Sequence, residues 1–97
     1  MTYPRYSATE SNLAVHSGEL LGEELEARGL TQKALAEAMG RPVQAVNEIV
    51  RGRRAITARS AIQLEEALGI SARFWLNLQS MYDLARAREA QEAKKSA

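Results

Sequence analysis

The chain of 97 residues contains no cysteine and a single histidine. Disulfides and thiolate zinc sites are therefore excluded, and one imidazole is too few ligands for a dedicated metal site. No apolar run approaches the ~20 residues needed to cross a bilayer. The opening MTYPRYSATES also lacks the apolar core of a secretory signal, so a cytoplasmic location is expected. A nucleophile paired with a base, a cluster of metal-ligating side chains and a phosphate-cradling glycine loop are all missing as well. Glu65-Glu66 and the group from Glu19 to Glu26 fit exposed helix faces better than catalytic dyads, so neither an enzyme nor a cofactor is expected. Nor does charge of one sign dominate, since 13 Lys and Arg against 12 Asp and Glu leave a net charge of +1. Hydrophobic residues at 45% and charged residues at 26% are ordinary proportions, sufficient for one domain with a modest core.

The most informative stretch runs from Thr31 to Arg51 and divides into two short helices with a tight turn. Thr31 is suited to cap the first, Gln32 to Met39, because its hydroxyl can accept from an otherwise orphan N–H. Gly40 follows where a left-handed residue ends a helix. Pro42 fits the first position of the next helix, where its missing N–H has no partner to lose. This second helix, reaching to about Arg51, carries Val46, Ile49 and Val50 on one side and Val43, Gln44, Asn47 and Glu48 on the other. Leu35, Ala38 and Met39 share a face of the first helix, and Ala36 is small where the second must approach closely. Two helices so related form a helix-turn-helix, whose second helix lies in the DNA major groove. Gln32, Ala36, Gly40, Val46 and Ile49, in this register, resemble the motif of the phage-repressor-like family. A helical hairpin from another all-α domain would share the caps but not this register.

The distribution of charge adds to that reading. Arg41, Arg51, Arg53, Arg54 and Arg59 lie in a stretch whose one acid is Glu48, whereas Glu19, Glu23, Glu24 and Glu26 precede a lone Arg28. Such asymmetry concentrates positive potential on one side and leaves the other acidic, although a mixed solvated surface can give similar counts.

The other elements follow from caps and stripes. Ser17 is suited to cap a first helix with Glu19, Glu23 and Glu24 in its early turns and Leu20, Leu21 and Leu25 facing inward. Gly29 stops it, and Leu30 folds back on Leu25. His16 fits a surface or capping role better than a ligand role. After the polar connector Gly52-Arg53-Arg54-Ala55, Thr57 caps a fourth helix with Ala58, Ala61, Leu64 and Leu68 on one stripe, ended by Gly69. Ser71 caps a fifth that runs past Arg86. Phe74, Trp75, Leu76, Leu78, Met81, Tyr82 and Leu84 wrap more than one face of it. One stripe can cover the bundle; a second needs another chain unless all close a single core. Phe74, Trp75, Leu78, Met81 and Tyr82 are therefore the expected interface of a two-fold homodimer. The expected architecture is all-α, a five-helix repressor-like bundle containing the helix-turn-helix, with a long C-terminal helix. Residues 1–15 would form a flexible arm, either inert or partner-binding. Residues 16–86 would form the domain with its dimerisation helix, and residues 87–97 a polar tail that frays.

Five blocks, in order, resemble the HigA-type antitoxins: HSGELL from His16, GLTQ from Gly29, NEIV from Asn47, GRR from Gly52 with Ile56-Thr57, and FWLNLQ from Phe74 with Tyr82-Asp83-Leu84. One departure is Ser17, where that family often has Pro, which bears on how the first helix starts. The resemblance implies a dimeric protein that binds double-stranded operator DNA, represses its own operon and neutralises a small basic HigB-type toxin, an mRNA interferase. The acidic first helix and the arm are the expected toxin-facing parts. A phage-repressor-like regulator without a toxin would share the fold and the DNA face, and an interaction module would share the fold alone.

On the DNA face, Val43, Gln44, Asn47 and Glu48 are the expected base readers. Gln and Asn suit adenine, Glu suits cytosine N4 and Val meets a thymine methyl. Gln32, Arg41, Arg51, Arg53 and Arg54 are the expected phosphate contacts. Arg41 has a base edge as its other possible target, and Asn47 and Glu48 have bracing each other or an Arg as a second use.

Overall fold

The computed structural model describes residues 16–96, so the expected arm over residues 1–15 lies outside the described residues. Five helices follow one another: α1 (Ser17–Arg28), α2 (Gln32–Met39), α3 (Val43–Val50), α4 (Ala58–Leu68) and α5 (Ala72–Ser96). No helix among the described residues is long and apolar enough to cross a membrane.

The stops between helices follow the expected chemistry. Thr31 Oγ1 accepts from the Ala34 amide at 3.0 Å, and Ser71 Oγ from that of Phe74 at 3.1 Å. Thr57 accepts from the Ser60 amide while Ser60 Oγ accepts from that of Thr57, a reciprocal box at the start of α4. Gly29 and Gly40 both lie in the left-handed region. The amide after each donates back across the turn, Leu30 to Leu25 O and Arg41 to Ala36 O, both at 2.9 Å.

Two starts differ by one residue from expectation. Pro42 is the N-cap of α3 rather than its first helical residue, because its ψ of 146° is extended while its carbonyl accepts from Ala45. His16, not Ser17, precedes α1 and offers no side-chain cap. Ser17 is inside the helix and buried because its hydroxyl donates to Gln79 Oε1, 62 residues away, at 2.9 Å. A tertiary partner has displaced a local one.

Leu21, Leu25, Leu35, Ala36, Met39, Val46, Ile49, Ile56, Ala61, Leu64, Leu68 and Trp75 form one buried cluster. Leu20, Val50 and Leu78 pack at its margin. Ala38 and Ala58, expected on the inward stripes, are exposed. Neighbouring positions of α2 and α4 fill the space instead. Trp75, expected at an interface with a second chain, has no exposed surface. The bundle itself consumes its indole, since α5 must close the gap left by four short helices. From Arg86 to Lys95 every side chain of α5 is exposed, and the helix runs to Ser96, so the expected polar tail continues the helix over its described residues.

Two polar or small residues hold the helices together. Gly18 lies where α1 meets the end of α3, and a Cβ there would run into the Ile49 carbonyl. Gln79, 9% exposed, uses Oε1 to accept from Ser17 Oγ and from the Ile56 amide at 2.8 Å, and its Nε2 donates to Asp83 at 2.9 Å. Replacing Gln79 by Leu keeps the volume but strands a buried N–H and a buried hydroxyl. The expected loss is about 2–3 kcal/mol, read as a lower urea midpoint at unchanged slope.

Candidate nucleic-acid interface

The site begins with the angle between α2 and α3. Gly40 (φ 67°) and the extended Pro42 reverse the chain within three residues. Leu35 and Ala36 of α2 then face Val46 and Ile49 of α3 in the core. Burying Val46, Ile49 and Ala45 on one side of α3 fixes what the other side presents. Val43 is 48% exposed and Gln44 is exposed, while Asn47 and Glu48, one turn later, are half-buried. The structure thus brings all four expected base readers onto one outward face.

They are not equally free. Asn47 Nδ2 donates to Gln32 Oε1 at 3.1 Å, tying the middle of α3 to the start of α2. This occupies the Gln32 amide oxygen, while its N–H donors carry no bond among the described residues. Glu48 Oε1 accepts from Arg54 Nε at 2.9 Å and from Arg54 Nη2. Val43 and Gln44, on the first turn, carry no side-chain bond among the described residues.

The expected phosphate contacts separate in the same way. Arg41 Nη1 donates to Gln63 Oε1 of α4 at 3.2 Å, which holds it half-buried at the turn. Arg51 and Arg53 are exposed without a side-chain partner among the described residues, whereas Arg54 is paired. All three border the loop after α3, where Gly52 (φ 76°) makes the bend. The His16 ring fills the space on the inner side of Gly52 and meets Tyr82 of α5 edge to face, centroids 6.0 Å apart.

Three residues supporting this surface were absent from the sequence-derived set: Gln63, Gln79 and His16. Gln79 had a readable signal, being a polar residue one helical turn after Trp75 on an apolar stripe. Gln63 and His16 had none, because their partners come from other helices.

On the far side of α5, Phe74, Met81 and Leu84 are 41%, 56% and 51% exposed, with Leu78 and Tyr82 half-buried between them and the core. An open groove of about 450 Å³ runs alongside, lined by residues that include Ile56, Leu76, Ser80 and Leu84.

A family model described as Helix-turn-helix matches residues 21–75, from the middle of α1 to the start of α5. The chain is 47% identical over 83 residues to antitoxin HigA-1 of Vibrio cholerae, covering 82% of this chain and 78% of that one. The chain belongs to the HigA family of helix-turn-helix antitoxins. It is also 43% identical over 81 residues to virulence-associated protein I of Dichelobacter nodosus, covering 82% of this chain and 75% of that one. Among solved structures, antitoxin HigA of Pseudomonas aeruginosa, determined with the higBA promoter, superposes with a TM-score of 0.79. It is 41% identical, and the match covers 84% of this chain and 89% of that one. HigA antitoxins are DNA-binding proteins rather than enzymes.

The pairs on this HigA surface contribute little to the fold. Glu48 and Arg54 retain 31% and 47% of their side-chain exposure, and such pairs are worth ~0–1 kcal/mol. Arg54→Ala is expected to move the unfolding free energy by less than about 1 kcal/mol. Gly18→Ala, which changes no charge, should lower it by about 2 kcal/mol through the clash with the Ile49 carbonyl. Paired urea titrations of the two variants check both values.

Proposed function

We propose that this chain is the DNA-binding antitoxin of a toxin–antitoxin pair, acting in the cytoplasm as a homodimer that represses its own operon. The observation that carries this is the outward face of α3. It presents Val43 and Gln44, without a side-chain partner among the described residues, at the first turn of a helix held by Gly40, Pro42 and the core. In a helix-turn-helix the first turns of the second helix contact base edges. Gln44 suits an adenine through N6 and N7, and Val43 a thymine methyl. Asn47, braced by Gln32, follows one turn later, and the Gln32 amide keeps its N–H donors available for a phosphate. Arg51 and Arg53 flank this face and supply charge toward phosphates. The antitoxin HigA of Pseudomonas aeruginosa solved with its promoter supports operator DNA as the partner.

The toxin is proposed to be a small basic protein encoded beside this one, following the naming of the relatives as antitoxins. The acidic α1, with Glu19, Glu23, Glu24 and Glu26 along it, has the charge to meet such a protein.

DNA immediately upstream of the reading frame, titrated by fluorescence anisotropy over a salt series with non-specific competitor, tests the first claim. Wild-type protein is expected to bind with a steep salt dependence, and Gln44→Ala to lose ~1–3 kcal/mol of sequence discrimination. Equal affinity for upstream and scrambled DNA would remove the repressor role.

The dimer is proposed to form through the exposed apolar stripe of α5, Phe74 and Met81 with the flanking Leu78 and Tyr82, while Trp75 acts only from within. Such a two-fold pair presents two α3 helices to half-sites ~34–36 Å apart. Met81→Glu places a charge at the centre of this stripe and is expected to give a monomer by sedimentation equilibrium, with unchanged helicity. A dimer of undiminished affinity would move the interface elsewhere.

A further inference from the structure

Glu48 is placed among base readers by its helical position, and Arg54 among phosphate contacts by its charge. Their bonds run in another direction. The main-chain carbonyl of Glu48 accepts from the amides of Arg53 at 2.8 Å and Arg54 at 3.2 Å. Its side-chain Oε1 accepts from Arg54 Nε at 2.9 Å and from Nη2. One residue of α3 thus binds the following loop through both its backbone and its carboxylate.

We propose that Glu48 is a positioning residue that clamps this loop, that Arg54 is the strut of the clamp, and that the loop's phosphate contacts belong to Arg51 and Arg53. The proposal rests on the DNA-binding reading above and divides the labour within it.

Electrostatics favours the division. If Arg54 turned to a phosphate, Glu48 would be left as an unpaired anion beside a polyanion, so each gain to Arg54 is opposed by a loss at Glu48. Arg51 and Arg53 have no such tie among the described residues. The loop is held on its other sides too. Gly52 donates to Ile49 O at 3.0 Å and lies against the His16 ring. The Ile56 amide donates to Gln79 Oε1 at 2.8 Å. Main-chain positions 52, 53, 54 and 56 are therefore all fixed before DNA arrives. Two long arginines anchored on a fixed backbone lose less freedom on binding than two on a mobile one. The exposed Glu48–Arg54 pair is too weak to matter to global stability, but biasing a short loop requires far less.

The test compares wild type with Arg51→Ala, Arg53→Ala, Arg54→Ala, Glu48→Ala, Glu48→Gln and the double variant Glu48→Ala/Arg54→Ala. Binding to upstream DNA is measured over a salt series, and to a panel carrying every single base-pair change. Arg51→Ala and Arg53→Ala are each expected to lower the salt slope by about 1. Arg54→Ala should leave it unchanged. Glu48→Ala should weaken binding by one common factor across the panel, and the double variant should bind no worse than Glu48→Ala alone. A slope lowered by about 1 in Arg54→Ala would overturn the strut. Discrimination lost at a single base pair in Glu48→Ala would make that residue a reader.

A second measurement needs no DNA. Trypsin cleavage after Arg51 and Arg53 should accelerate by up to about fivefold in Glu48→Ala and Arg54→Ala, as cleavage follows the population of the open loop and the pair is worth ~1 kcal/mol at most. Glu48→Gln, which keeps the acceptor oxygen, should lie between these and wild type. Unchanged cleavage rates overturn the clamp even if wild type binds its operator. Faster cleavage with a wild type that binds no operator overturns the DNA-binding reading and the phosphate assignment with it, and leaves the clamp standing.

Discussion

The carboxamide of Gln79 is the constraint on which the remaining geometry depends. Its Oε1 accepts simultaneously from the hydroxyl that starts α1 and from the amide that ends the arginine loop. A buried carbonyl oxygen has two lone pairs, and both are used. Ser17 and Ile56 are otherwise buried donors in an apolar cluster, and each would lose its water without replacement. The apolar core can slide, because leucine on leucine has little directional preference, whereas two hydrogen bonds to one atom cannot. Gln79 therefore sets the registry among α1, the loop and α5, and Asp83 holds its amide end in orientation.

Gly18 imposes the complementary limit. The first turn of α1 lies against the last carbonyls of α3 so closely that no Cβ fits. The C-terminal end of α3 is thus covered by α1, and its N-terminal end is left projecting. Polarity follows from this packing: the unencumbered side chains, Val43 and Gln44, are at the end that points out. The bracing ones, Asn47 and Glu48, share that outward face one turn nearer the covered end and are half-buried. Among the described residues, the same helix has side chains without partners at one end and anchored ones at the other.

Much of this was legible because it is local. Helix stops at Gly29, Gly40 and Gly69, caps at Thr31, Thr57 and Ser71, and the division of α3 into inner and outer faces depend on residues within one or two turns of each other. The failures share a cause. Ser17 has the chemistry of a cap, yet its hydroxyl is claimed by a residue 62 positions away. Trp75 has the composition of an interface residue, yet α5 needs a large side chain to close a bundle of short helices, so the indole is wholly internal. Glu48 was legible in part, since an Arg partner was its second expected use; which Arg it meets depends on a loop conformation that includes Gly52, with His16 behind it. Sequence pattern assigns faces well and assigns partners poorly. Most of the candidate surface is a matter of faces, and the roles within it are a matter of partners.

The two sides of α5 have opposite employment, and this joins two properties that are separable in principle. Its inner side, through Trp75, Gln79 and Tyr82, holds the core, the end of the arginine loop and the His16 ring behind Gly52. Its outer side exposes Phe74, Met81 and Leu84. A helix tends to move as a unit over a few turns, because its backbone bonds are satisfied internally. Any chain that seats on the outer side and shifts α5 by a fraction of an ångström moves Gln79 with it, and Gln79 is fixed to Ile56 and hence to the loop. The exposed apolar stripe and the anchor of the arginine loop therefore share one helix. A substitution that loosens its inner side should alter both together, even where it touches neither DNA nor a second chain.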